Sequence, residues 1–399
     1  MKKWWVFLTF FGLALVLTAC LGQAIVGQTP SVAQSPAVQG NSPAWRTMAK
    51  MQRGINIENW FGQIPLTPMR QSPDVVQIDR LSSAEIKRLR DLGLDHVRLP
   101  INWQNFAGPA PDYALPPALF QKLNQIIATL NQAGLVVVLD HHGDELKGAN
   151  DSQRISQLWR QVAQQLKSIP ADRLVFEIFN EPTQIDVTVW KGIAQSALSA
   201  IRAVDPQRTV VIGSVLWNQV HTLASMGTFQ DNNVIYTFHF YEPMLFTHQG
   251  ATWVEGMFKG QPQEEVAFPA DPRRPLPSLS AQSQKIDWVK KEYTEYATYR
   301  GTPPAIDTSL QVAVQFSQQN QVPVWCGEFG VFKLYAPEAD RVRWIELVRS
   351  TMDQKGIAWA HWEYDRGFGL LPGKQTREGM TTNLPALDPN VLRALNLKG

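Results

Sequence analysis

Short apolar runs that each end in one or two polar side chains recur eight times along this chain. The stretches between them carry apolar residues at helical spacing. The runs are RGINIENW from Arg53, LDHVRLP from Leu94, LVVVLDHH from Leu135, RLVFEIFNEP from Arg173, TVVIGSVLW from Thr209, NVIYTFHFY from Asn233, VPVWCGEFG from Val322 and IAWAHWEYD from Ile357. Continuous apolar runs of this length predict strands buried on both faces, as in a parallel sheet. Helices are predicted over Ser82–Leu92, where Ser82 and Glu85 form a capping box, and over Pro116–Gln132, Ser152–Lys167, Val187–Val204 and Ala339–Gln354. Eight strand–helix units predict an α/β chain closed into a (β/α)8 TIM barrel. The alternative, an open doubly wound sheet, has no reason to stop at eight.

The polar residues that interrupt the runs gather at their C-terminal ends: Asn59, Arg98, His142, Glu181, Asn218, Tyr241, Glu328 and Trp362. Barrel enzymes carry their sites on that face. Two runs release a lone glutamate, Glu181 before Pro182 and Glu328 between two glycines. In an eight-strand barrel the fourth and seventh strands face each other across the mouth, which suggests paired-carboxylate chemistry. One acid protonates a leaving oxygen and the other works on the far side of a sugar carbon.

On these residues the chain resembles glycoside hydrolase family 5, the cellulase-like barrel glycosidases, from Arg53 to Trp362. The resemblance implies that Glu181 is the acid/base and Glu328 the nucleophile of a retaining endo-glycosidase. Its expected substrate is a β-linked polysaccharide, foremost β-1,4-glucan. It also implies that Arg98 keeps Glu328 ionised, that His142 lies near the acid/base, and that Asn180 binds the sugar 2-hydroxyl. Tyr241, which shares a strand face with His239, would donate to the nucleophile, and Trp362 would form a platform under the sugar. His141, Asn59, Trp60 and Trp253 join the candidate substrate contacts, with Glu58, Trp103 and Trp217 as further possibilities. β-Mannan, xyloglucan and β-1,3-glucan remain open as substrates, as do endo against exo action and a carbohydrate-binding lipoprotein without turnover.

Geometry and chemistry add further expectations. Retention requires carboxyl groups roughly 5 to 5.5 Å apart. The acid should have a raised pKa and the nucleophile a lowered one. Strict alternation sends Asn180 and Glu181 to opposite faces, so the fourth strand must bulge or end there. The same alternation places Cys326 inside the barrel beneath Glu328. About sixty residues between Tyr241 and a helix near Ile306, including a helix over Lys285–Tyr296, are expected to wall the cleft.

Composition narrows the rest. In a chain of 399 residues, 44% apolar and 18% charged, the balance is that of a globular protein. Fourteen tryptophans exceed ordinary use, and most are expected in the core. Residues 1–19 read as a signal peptide, with Lys2 and Lys3 before an apolar run shorter than the roughly 20 residues a membrane span needs. Leu17-Thr18-Ala19-Cys20 resembles the lipobox of bacterial lipoproteins, which implies a lipidated Cys20 and an exported protein, anchored to the cell envelope or secreted. Without residues 1–19, 35 basic side chains face 35 acidic ones, so no nucleic acid is an expected partner and a membrane only through the lipid. Residues 20–44 read as a flexible linker, and 45–399 as one catalytic domain, expected to be a monomer. No metal or cofactor is expected, because adjacent His141 and His142 diverge on a strand and lack a third ligand.

Overall fold

A computed structural model of the chain describes residues 40–61, 71–143, 146–255, 265–377 and 384–398. The predicted signal peptide, Cys20 and nearly all of the linker lie outside these residues. The eight predicted strands are present as β1 (Arg53–Asn56), β2 (His96–Ile101), β3 (Val136–His141), β4 (Leu174–Glu177), β5 (Val210–Gly213), β6 (Val234–Phe240), β7 (Val324–Phe329) and β8 (Ala358–His361). Each pairs in parallel with the next, and β8 returns to β1 to close the barrel.

Alternation sorts the strand residues into two cores. Val136, Val138, Val175, Val211, Ile235, Trp325, Ala358 and Ala360 fill the barrel interior. Their neighbours Val137, Leu139, Phe176, Ile212, Phe238 and Trp359 point outward against the helices, where Leu89, Leu123, Trp159, Trp190 and Trp344 meet them. Helices Pro117–Gln132, Asp151–Leu166, Val187–Arg202 and Glu338–Lys355 match the predicted spans to within two residues at either end. A further helix, Pro303–Asn320, precedes β7. The helix expected over Lys285–Tyr296 is observed as Asp287–Glu295 and continues as a wider turn through Tyr296–Arg300.

The expected linker boundary needs correction. Ser42 caps a helix over Pro43–Met48, and Ala44, Met48 and Met51 pack into the interior core. Residues 43 and 44 therefore belong to the folded body, where they help to plug the barrel floor opposite the mouth.

The capping box read from sequence is formed. Ser82 Oγ accepts from the Glu85 N–H at 3.2 Å, and the Ser82 N–H donates to Glu85 Oε2 at 3.0 Å. Ser82→Ala is expected to cost about 1 kcal/mol, seen as a lower urea midpoint with an unchanged slope.

Candidate active site

Arg98 on β2 points into the barrel and is fully buried. Its Nε and Nη2 donate to the two carboxylate oxygens of Glu177 at 2.6 and 3.0 Å, and its Nη1 to Glu328 Oε1 at 2.7 Å. Nη1 also donates to Asn56 Oδ1 at 3.1 Å and Nη2 to Asn180 Oδ1 at 2.8 Å, while Asp140 Oδ2 lies 3.0 Å away. One guanidinium thus joins groups from β1, β2, β3, β4 and β7. Asn56, Asp140 and Glu177 were absent from the sequence reading. For Glu177 the signal was available, since it is a lone charged residue inside an apolar strand, where an unpaired charge is very costly.

Both glutamates reach the mouth through departures from alternation. After Glu177, Ile178 and Phe179 both join the outer core, and Glu181 takes a left-handed φ of 46°. The strand has ended, as its tip required. On β7, Phe238 pairs with Cys326 but His239 pairs with Glu328, so Gly327 is an extra residue in a bulge. A Cβ on Gly327 would lie 2.8 Å from Thr237 Oγ1. This corrects the expectation for Cys326. The bulge sends Cys326 to the outer core and brings Glu328 inward.

The two carboxyl groups meet around His239. Its Nδ1 lies 2.6 Å from Glu181 Oε1 and 3.4 Å from Glu328 Oε2, and ligand-type atoms of all three lie within 4.8 Å of one another. The Asn218 amide faces His239 Nε2 at 3.4 Å, on the side of the ring away from the glutamates. Burial holds the His239 pKa down at about 4, so the ring is neutral. By residue type this trio could hold a cation. Tyr241, two residues on, donates to Glu328 Oε2 at 2.8 Å.

His142 stacks on Trp362 at 5.9 Å between ring centroids. Its Nδ1 lies 2.8 Å from Asp140 Oδ2, and the Asn180 amide faces its Nε2 at 3.2 Å. The ring is therefore a neutral link between Asp140 and Asn180.

Burial pushes the Glu181 carboxyl up to about 7, against the lowering pull of His142 and Arg98, which agrees with the expectation for an acid. Glu328 was expected below its ordinary value and is above it. Burial is the largest influence and raises it, against the lowering pull of His239 and Arg98, and nearby Glu181 raises it further. Burial likewise lifts Asp140 to about 7.

Other candidates separate. His141 points away from the mouth, fully buried and edge-on to Phe179 at 5.1 Å, and so is no substrate contact. Trp60 and Trp103 are core residues, 1% and 0% exposed. Asn59 is half-buried at the mouth with a left-handed φ of 59°. Trp253 is 51% exposed and stands edge-on to Phe332 at 4.9 Å. Phe332 and Phe368 pack with Tyr241 and Trp362, so the excursion after Tyr241 does border the cleft; its residues 256–264 lie outside the described ones.

A barrel whose mouth holds two close glutamates, backed by a buried arginine and bordered by tryptophans, defines the class of barrel glycosidases. The description "Cellulase (glycosyl hydrolase family 5)" matches residues 67–367, and the chain belongs to that family. It is 26% identical over 359 residues to Endoglucanase 3 of Fibrobacter succinogenes, covering 84% of this chain and 52% of that one. The chain therefore spans about half the length of that relative. Cellodextrinase A of Ruminococcus flavefaciens is 24% identical, with 77% of this chain and 83% of that protein covered. The structure of Thermotoga maritima Cel5A in complex with cellobiose superposes with a TM-score of 0.69 at 26% identity, covering 88% of this chain and 99% of the other.

Arg98→Met is expected to cost about 3 to 5 kcal/mol at neutral pH, because it strands buried carboxylates. Asp140, Glu177 and Glu328 all titrate above their ordinary values. Removing the guanidinium raises them further, so the folded variant binds more protons than its unfolded chain and loses stability as pH rises through about 7. Urea denaturation at acidic and alkaline pH should show the smaller deficit on the acid side.

Proposed function

We propose that the protein is a retaining endo-glycosidase acting on β-1,4-glucan, with Glu328 as nucleophile and Glu181 as acid/base. The observation that carries this reading is the closeness of the two carboxyl groups, within 4.8 Å between oxygens. An inverting pair needs roughly 6.5 to 9.5 Å to admit water.

The hydrogen bonds support distinct roles. Glu328 is approached by Arg98 on one oxygen and the Tyr241 hydroxyl on the other, which favours its anionic form despite burial. It attacks the anomeric carbon and a glycosyl ester forms. Glu181 holds a proton up to about pH 7 and delivers it to the departing oxygen. It then takes a proton from the water that cleaves the ester. His239 stays neutral between the two, with Nδ1 facing Glu181. Asn180, held by Arg98 and His142, is set to meet a sugar hydroxyl, and Trp362 offers a face for the ring.

Names of similar proteins favour glucan: endoglucanase and cellodextrinase among the relatives, cellobiose in the superposed structure. Mannan is the second reading, because Cel5A was also solved with mannotriose. A polysaccharide panel separates the two, with carboxymethylcellulose expected above mannan. We propose further that the protein is exported and held by a lipid on Cys20; Cys20→Ser should then move it from the membrane fraction to the soluble one.

Glu328→Gln should abolish detectable sugar release, and Glu181→Gln should lower kcat roughly 10²- to 10⁴-fold. Release by Glu328→Gln equal to that of the wild type would sink the assignment. Loss of the Glu181 proton should make kcat fall as pH rises through about 7. Proton NMR of the first products should show the β-anomer; α-anomer first would exclude retention.

A further inference from the structure

Asp140 on β3 is fully buried beneath the mouth and takes no part in the double displacement. Its Oδ1 is buried without a partner, while Oδ2 alone meets Arg98 at 3.0 Å and His142 Nδ1 at 2.8 Å. Arg98 does not need it as a counter-charge, because Glu177 and Glu328 already hold the guanidinium at 2.6 and 2.7 Å. A buried carboxyl with one orphaned oxygen is costly to a fold. What Asp140 adds is a hold on His142.

Alternation builds that contact. Val136 and Val138 line the barrel interior, and Asp140 and His142 continue the same face, which sets the carboxyl directly under the ring. Trp362 stacks on the ring at 5.9 Å, so the imidazole is fixed both at its edge and across its face.

Donors run one way round a closed ring of Arg98, Asn180, His142 and Asp140. A guanidinium only donates, so Arg98 Nη2, 2.8 Å from Asn180 Oδ1, decides which end of that amide faces it. The Asn180 nitrogen is thereby turned to His142 Nε2 at 3.2 Å, which must accept. Burial lowers the His142 pKa, so the ring carries one proton, on Nδ1, and donates it to Asp140 Oδ2. Arg98 closes the ring on the same oxygen. Asn180 has two amide hydrogens, and His142 is their one acceptor among the described residues.

We propose that Asp140 is a positioning residue, which through His142 holds the Asn180 amide with its second N–H toward the 2-hydroxyl of the sugar at the cleavage point. This rests on the glycosidase reading. Without Asp140 the ring can turn or carry its proton on Nε2, and the Asn180 nitrogen loses the acceptor that directs it.

The test compares 4-nitrophenyl β-cellobioside with its analogue lacking the 2-hydroxyl on the nitrophenyl-bearing unit. The ratio of their kcat/KM values reports the hydroxyl contact, and the intrinsic difference in reactivity cancels between variants. Asp140→Leu should lower the ratio about three- to tenfold, the worth of one hydrogen bond. His142→Phe, which keeps a ring against Trp362, should lower it equally and carries the test if Asp140→Leu folds poorly. Asp140→Asn should retain the wild-type ratio, because Arg98 turns the new amide oxygen to the place of Oδ2, where it accepts from His142. A merely structural role would slow both substrates alike. Adding Asp140→Leu to Asn180→Ala should leave the ratio of the single variant unchanged. A wild-type ratio in both Asp140→Leu and His142→Phe overturns the proposal and leaves the glycosidase reading standing. So does a ratio in Asp140→Asn as low as in Asp140→Leu, since charge rather than the acceptor would then be at work. Absence of hydrolysis by the wild type of either cellobioside, carboxymethylcellulose and mannan overturns both.

Discussion

A single buried guanidinium organises the barrel mouth. Arg98 stands among Asp140, Glu177 and Glu328, all buried. Three carboxylates in an apolar interior repel one another and would protonate without a counter-charge. One arginine satisfies them because its planar fork of donors reaches several oxygens at once, where a lysine would offer a point charge. The arrangement also ties five strands together at their C-terminal ends, at the end where the cleft opens.

The second constraint is backbone irregularity. A regular strand shows alternate residues to the interior, which gives each strand one chance per pair to present a side chain. β4 and β7 both break that rule. Glu181 sits at a left-handed φ, a strain of order 1 kcal/mol that surrounding contacts must hold in place. Glu328 depends on the Gly327 bulge, where a side chain would strike Thr237. These two local departures bring groups from opposite sides of the barrel within 4.8 Å.

Proton placement follows from the same packing. Burial keeps His239 and His142 neutral, and each ring lies with Nδ1 against a carboxyl group and Nε2 against an amide. The mouth therefore holds carboxyl groups lifted to about 7, neutral imidazoles and a tyrosine that stays protonated. The loop after β8 that carries Glu363 is pinned separately. Asp365 takes both Arg80 and Arg377, and Arg377 reaches Glu85 on the helix after β1 at 2.8 Å.

Much of this was legible in the chain itself. Apolar runs of strand length, capped helices between them and polar residues at the run ends determined the eight-strand barrel and put Arg98, Asn180, Glu181, Tyr241 and Glu328 on one face, because alternation and helical period are local properties. The sequence did not determine which adjacent residue faces inward where alternation fails. Cys326 left the barrel interior because the Gly327 bulge shifts the register of β7 against β6, whereas His141 turned outward by plain alternation from the inward Val136 and Val138. Nor did it settle the pKa of Glu328, since burial against Arg98 is a balance between distant segments. Trp60 and Trp253 look alike in sequence, and only packing buried one and left the other at the cleft.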